Sequence, residues 1–131
     1  MEFEIVLGVP DVLNYWNELD KKFKNETLTN KEKNLFTKLI KALRLLKSNP
    51  RSNSLATHEI NALSLKYGFK VFQSYIENNV PAAGRIFWAY GPGKGEITIL
   101  AIEPHPEMKS RSYSRIRLSC FPDSRKRNKS Q

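Results

Sequence analysis

The hydrophobic period of this chain changes once, and that change limits the fold more than any other feature. Between residues 12 and 46, apolar side chains recur at spacings of three and four, as in helices with one buried face. After Gly68 the period drops to two, and β-branched and aromatic residues dominate. A chain of 131 residues holds one domain of this kind and not two, so the helices must pack on the strands that follow.

Phe3, Ile5 and Leu7 alternate with Glu4 and Val6 and predict a first strand, closed by Pro10. Asp11 is placed to cap a helix over about residues 12 to 25, with Leu13, Trp16, Leu19 and Phe23 on one face. Thr29-Asn-Lys-Glu32 reads as a capping box that opens a second helix. Its stripe of Leu35, Phe36, Leu39, Ile40, Leu43 and Leu46 runs until Ser48-Asn49-Pro50 stops it. The two helices form an antiparallel hairpin, and lysines 31, 33, 38, 41 and 47 mostly take its solvated face. Residues 51 to 68 read as a semi-regular segment with Leu55, His58, Ile60, Leu63 and Leu65 lying on the core.

Three strands follow, Phe69 to Ile76, Arg85 to Tyr90 and Glu96 to Ile102, separated by Asn78-Asn79-Val80-Pro81 and Gly91-Pro92-Gly93-Lys94-Gly95. In the second strand Ile86, Trp88 and Tyr90 share a face opposite Arg85, Phe87 and Ala89. In the third, Ile97, Ile99 and Ala101 oppose Thr98, Leu100 and Ile102, so both faces are apolar and the strand is central. The order predicts an α+β fold: an N-terminal strand and an α-helical hairpin packed on an antiparallel β-meander.

Composition removes several function classes. A single cysteine, Cys120, forms no internal disulfide and, with two histidines, supplies no spaced zinc ligand set. No apolar run approaches the roughly 18 residues that span a bilayer. The N-terminus carries acids where a secretory signal carries basic residues, so a cytoplasmic protein without membrane contact is expected. The glycines of residues 91 to 95 lack the Walker spacing and lead into a strand, so they read as a hairpin turn. Cys120 reads as a filler of a small apolar site.

Charge is uneven along the chain. There are 22 Lys and Arg against 13 Asp and Glu, but residues 109 to 131 alone hold eight basic side chains and one acid, a net of +7. Such a segment suits an anionic partner, nucleic acid or an acidic protein segment. Asp123 to Gln131, which lacks any apolar residue, reads equally as a solvated tail.

The chemistry-bearing residues gather after the third meander strand. His105 lies between Pro104 and Pro106 and is followed by Glu107, Lys109, Arg111, Tyr113, Arg115 and Arg117, with Arg85 and Tyr90 on the neighbouring strand. Metal-free RNA cleavage uses these residue types: a base for the 2′-hydroxyl proton, cations for the phosphorane charge, and an acid for the leaving oxygen. The plainer reading makes His105 a turn residue and the arginines surface charges.

Several of these elements resemble the RelE/ParE toxin superfamily of type II toxin-antitoxin systems. They are the Gly84-Arg-Ile-Phe-Trp-Ala-Tyr90 strand, the Glu96-Ile-Thr-Ile-Leu-Ala-Ile102 strand followed by His105, and the later Tyr113. The match covers most of residues 1 to 117, and implies a single domain over residues 1 to 122 with a basic tail over 123 to 131. The resemblance implies a toxin that cuts mRNA by in-line 2′-hydroxyl attack, in association with the ribosome, with neither metal nor other cofactor. By position, Arg85 matches the family's phosphate-contacting strand arginine, His105 its proton-transferring histidine, and Tyr113 its late tyrosine. Lys70 falls where ribonucleolytic members place basic residues, and Lys109, Arg111, Arg115 and Arg117 extend an RNA-binding edge. A small cognate antitoxin is the implied partner. Members with the histidine commonly follow it with arginine, where this chain has Pro106. Two other readings stay open: a gyrase-inhibiting relative, and a non-catalytic member that binds RNA or protein.

Overall fold

The computed structural model describes residues 2 to 7, 9 to 77 and 84 to 103. The chain runs β1 (Glu4–Val6), α1 (Pro10–Lys24), α2 (Asn30–Ser48), a 3-10 turn (Asn53–Leu55), β2 (His58–Glu59), α3 (Asn61–Tyr67), β3 (Phe72–Tyr75), β4 (Arg85–Tyr90) and β5 (Glu96–Glu103). The five strands form one sheet in the order β1-β5-β4-β3-β2. β1 runs parallel to β5, and every other pairing is antiparallel. This is the expected α+β arrangement of strand, helical hairpin and meander, with β2 and α3 added between hairpin and meander. Among the described residues no helix is long and apolar enough to cross a membrane.

The helical hairpin forms for local reasons. Pro10 opens α1, where its missing N–H is no loss, and Val9 takes the cap position. Asp11 therefore does not cap; it lies in the first turn, where the helix dipole favours an acid. At α2 the capping box is complete: the Glu32 N–H donates to Thr29 Oγ1 at 3.1 Å and the Thr29 N–H to Glu32 Oε1 at 2.9 Å. The helices join through Phe36, whose ring centroid lies 5.3 Å from those of both Trp16 and Phe23. α1 then packs against β5 and α2 against β1. Phe23, at the end of its stripe, stays 57% exposed beyond that contact.

Residues 51 to 68 are more ordered than their pattern suggests. α3 ends at Gly68, whose φ of 79° is a left-handed stop natural to glycine. Leu55, Ile60 and Leu63 are buried as expected, but Leu65 is 85% exposed and His58 is also exposed. For Leu65 the reason is that α3 has only seven residues, just under two turns, and its inward face is occupied by Leu63.

β5 is internal, as expected, and seven of its eight residues are buried. Its strict alternation is interrupted. Phe87 pairs with Ala101 and Trp88 with Ile99, so Leu100 is an extra residue opposite the Phe87–Trp88 step. Beyond that bulge Ile102 joins the face of Ile97, Ile99 and Trp88, whereas Ala101 and Glu103 turn to the face of Phe87 and Arg85. The loop at Gly91 to Gly95 is a hairpin turn: Gly91 N–H donates to the Glu96 carbonyl at 2.7 Å and Thr98 Oγ1 to the Gly91 carbonyl at 2.6 Å.

Candidate functional site

The two sheet faces differ in chemistry. Phe72, Trp88 and Tyr90 cluster on one, with Phe72 stacked on Trp88 at 4.8 Å between centroids. Even its polar groups are satisfied: Trp88 Nε1 donates to Ser74 Oγ at 2.8 Å, and Ser74 Oγ bonds Thr57 Oγ1 at 2.6 Å.

The opposite face carries a buried ion pair. Cross-strand partners share a face, so the registers Tyr75↔Arg85↔Glu103 and His58↔Gln73↔Phe87 place these residues together. Arg85 is 6% exposed and Glu103 1%. Arg85 Nε donates to Glu103 Oε1 at 3.1 Å, its Nη2 donates to the same oxygen, and its Nη1 donates to Gln73 Oε1 at 3.2 Å. The guanidinium also lies 5.7 Å from the centre of the Phe87 ring. The pair sits at the far end of β4 and β5 from the glycine turn, because Arg85 opens one strand and Glu103 closes the other. The β5 bulge makes this possible: without the extra Leu100, Glu103 would project from the opposite face.

A carboxylate gripping the guanidinium fixes its plane and neutralises its charge in a region from which water is largely excluded. Arg85 is thus embedded and committed to Glu103 and Gln73, not displayed at the surface. At the solvent end of the same face, the His58 and Tyr75 rings lie 6.4 Å apart, and His58 Nδ1 is 3.2 Å from the Ala56 carbonyl oxygen. Lys70 is exposed, just before β3. His105, Tyr113, Lys109, Arg111, Arg115 and Arg117 lie outside the described residues. Among the described residues no three His, Cys, Asp or Glu side chains gather in a group that could hold a metal ion.

Sequence reasoning missed Glu103, Gln73, Tyr75 and the placement of His58. The period-two pattern puts Gln73 and Tyr75 on one face of β3, but only the register of β3 on β4 aligns them with Arg85. No protein-family model, curated protein or solved structure matches the chain.

Proposed function

We propose that this chain is a toxin of the RelE/ParE type: a cytoplasmic, metal-independent mRNA endoribonuclease that stops translation in association with the ribosome and is held inactive by a small cognate antitoxin. The observation that carries the reading is the Arg85–Glu103 register pair at the end of β4 and β5. It sets the strand guanidinium opposite the residue that immediately precedes Pro104-His105 in the sequence. In this reading the Arg85 guanidinium stabilises phosphorane charge and the His105 imidazole moves a proton. Tyr113 adds a phenol, and the +7 segment from Lys109 onward, with Arg111, Arg115 and Arg117, supplies attraction for the RNA backbone.

Induced expression of the chain is the test. It should arrest growth and create new mRNA ends in primer extension, and His105→Ala should remove both effects. A parent that creates no new ends, with an Arg85→Ala/His105→Ala double variant as toxic as the parent, overturns the ribonuclease reading.

One observation favours a second reading, a non-catalytic member of the same fold that binds RNA or a partner protein through its basic segment. The Arg85 guanidinium is buried and already bonded to Glu103 and Gln73. That reading predicts salt-sensitive RNA retention without cleavage.

A further inference from the structure

We infer that residues 104 to 121 fold back over the sheet face that carries Phe87 and the Arg85–Glu103 pair, with Ile116, Leu118 and Cys120 turned toward it. The inference goes beyond the ribonuclease reading and does not depend on it.

The described elements gather on the other face. Arg51, three residues past α2, lies 5.4 Å from the centre of the Phe72 ring, and Thr57 bonds Ser74 beneath Trp88. Phe3 donates its N–H to the Lys47 carbonyl at 2.9 Å, near the end of α2, while its ring lies 5.7 Å from that of Tyr90. Since α2 is one uninterrupted helix, its buried stripe of Leu39, Ala42 and Leu46 follows that side, and Phe36 keeps α1 beside it. α3 is tied to the start of β3, where the Val71 N–H donates to Ser64 Oγ at 2.8 Å.

Yet the second face is buried as well. Phe87 pairs with Ala101 and Ala89 with Thr98, so these four share it, and all are sealed from solvent together with Gln73, Arg85 and Glu103. Gln73, Arg85 and Phe87 also hold polar or ring contacts beyond those they make with one another and with Glu103. A sheet dry on both faces needs a packed layer on each.

One stretch of chain is long enough to supply it. Residues 78 to 83 leave from β3 and return to β4 beside Tyr75 and Arg85, where the Ile76 N–H donates to the Gly84 carbonyl at 3.0 Å. Ala89 lies four strand steps from Arg85, about 13 Å, too far for so short a stretch to reach and come back. Residues 104 to 131 instead begin at Glu103, on the face itself and opposite Arg85. Their apolar side chains stop at Pro122, since Asp123 to Gln131 has none. Ile116, Leu118 and Cys120 alternate with Arg115, Arg117 and Ser119, the period of a strand with one dry side. Ile116 to Cys120 is again four steps, about 13 Å, the length of the face from Arg85 to Ala89. The same alternation turns Arg115 and Arg117 to solvent, where an anionic partner meets them.

The test uses the full chain with labelled methyl groups. Nuclear Overhauser contacts should join the Ala89 and Ala101 methyls to those of Ile116 and Leu118, and a mixture of labelled and unlabelled chains should show that they arise within one molecule. Cys120 should react with a thiol reagent at least about tenfold more slowly in the folded protein than in urea, because a buried thiol is reached only through local opening. Ala89 and Ala101 methyls that meet nothing beyond Glu103, or only residues of a second copy, overturn the inference. A Cys120 that reacts as fast folded as unfolded overturns it too. Neither measurement reads RNA cleavage, so loss of the ribonuclease reading would leave the covered face standing.

Discussion

Arg85 and Glu103 face each other across β4 and β5, and both the Nε and the Nη2 of the guanidinium donate to a single carboxylate oxygen, Glu103 Oε1. An ion pair this deep is costly to form and more costly to leave half-made, because the surviving charge has no water to turn to.

Glu103→Ala should therefore destabilise the domain by about 3–5 kcal/mol. The double change Arg85→Met/Glu103→Leu, which removes both charges and keeps the volume, should recover most of that loss. Urea denaturation of the three proteins decides it. A single variant within about 1 kcal/mol of the parent would show that the pair does not matter to stability.

Ser74→Ala removes the hydroxyl that accepts from the Trp88 indole and donates to Thr57 Oγ1. The indole N–H and the Thr57 hydroxyl both bond Ser74 Oγ, in a strand whose Ser74 is fully buried. Thr57 donates to the Pro50 carbonyl at 2.7 Å and keeps a partner, whereas the indole loses the one it has there. The expected cost is about 1–3 kcal/mol, the usual penalty of a stranded buried donor. Tryptophan fluorescence during the same denaturation reports on it.

Thr29→Ala should cost about 1 kcal/mol through the lost cap of α2. Acid should act at the same place. The Glu32 carboxyl is held below its ordinary pKa, first by the Thr29 backbone N–H and then by the Lys22 ammonium. The folded state binds fewer protons there than the unfolded chain, so this contribution is complete above the ordinary carboxylate range and fades as pH falls through the lowered value. Glu32→Gln should flatten that acid limb in a plot of melting temperature against pH. At the other extreme, burial raises the Tyr15 hydroxyl above 10.0, with Glu32 and Glu18 adding to it. Stability should then fall as pH climbs past that ordinary phenol value, and Tyr15→Phe should remove the fall.

Truncation after Pro122 removes four cations, Arg125, Lys126, Arg127 and Lys129, together with Asp123. If all four neutralise phosphates, the log-log salt slope of single-stranded RNA binding should become shallower by nearly 3, at about 0.7 per contact. An unchanged slope in a filter-binding titration assigns the tail to solubility alone.

Features set by nearby residues could be read from the sequence. Thr29 and Glu32 announce the start of α2, Asn49-Pro50 its end, and Gly68 the stop of α3, because each acts within a few residues of itself. The alternation of Ile86, Trp88 and Tyr90 is likewise local to its strand. What could not be read depends on partners distant in the chain. Leu100 becomes a bulge only because Phe87 and Trp88 pair with Ala101 and Ile99, and nothing in its own neighbours marks it. The same holds for the carboxylate opposite Arg85, which lies 18 residues away in sequence. β2 is two residues long, too short for any period to identify it, and so His58 read as a core residue.

The sheet ends on both sides in its shortest described strands, β1 with three residues and β2 with two, while the longer β4 and β5 lie inside the strand order, β5 covered by β1 over Glu96 to Thr98. Unpaired peptide groups at a sheet margin are what recruit a foreign strand. Along these two margins an incoming strand meets two or three rungs at most, too few to template stacking of one molecule on the next.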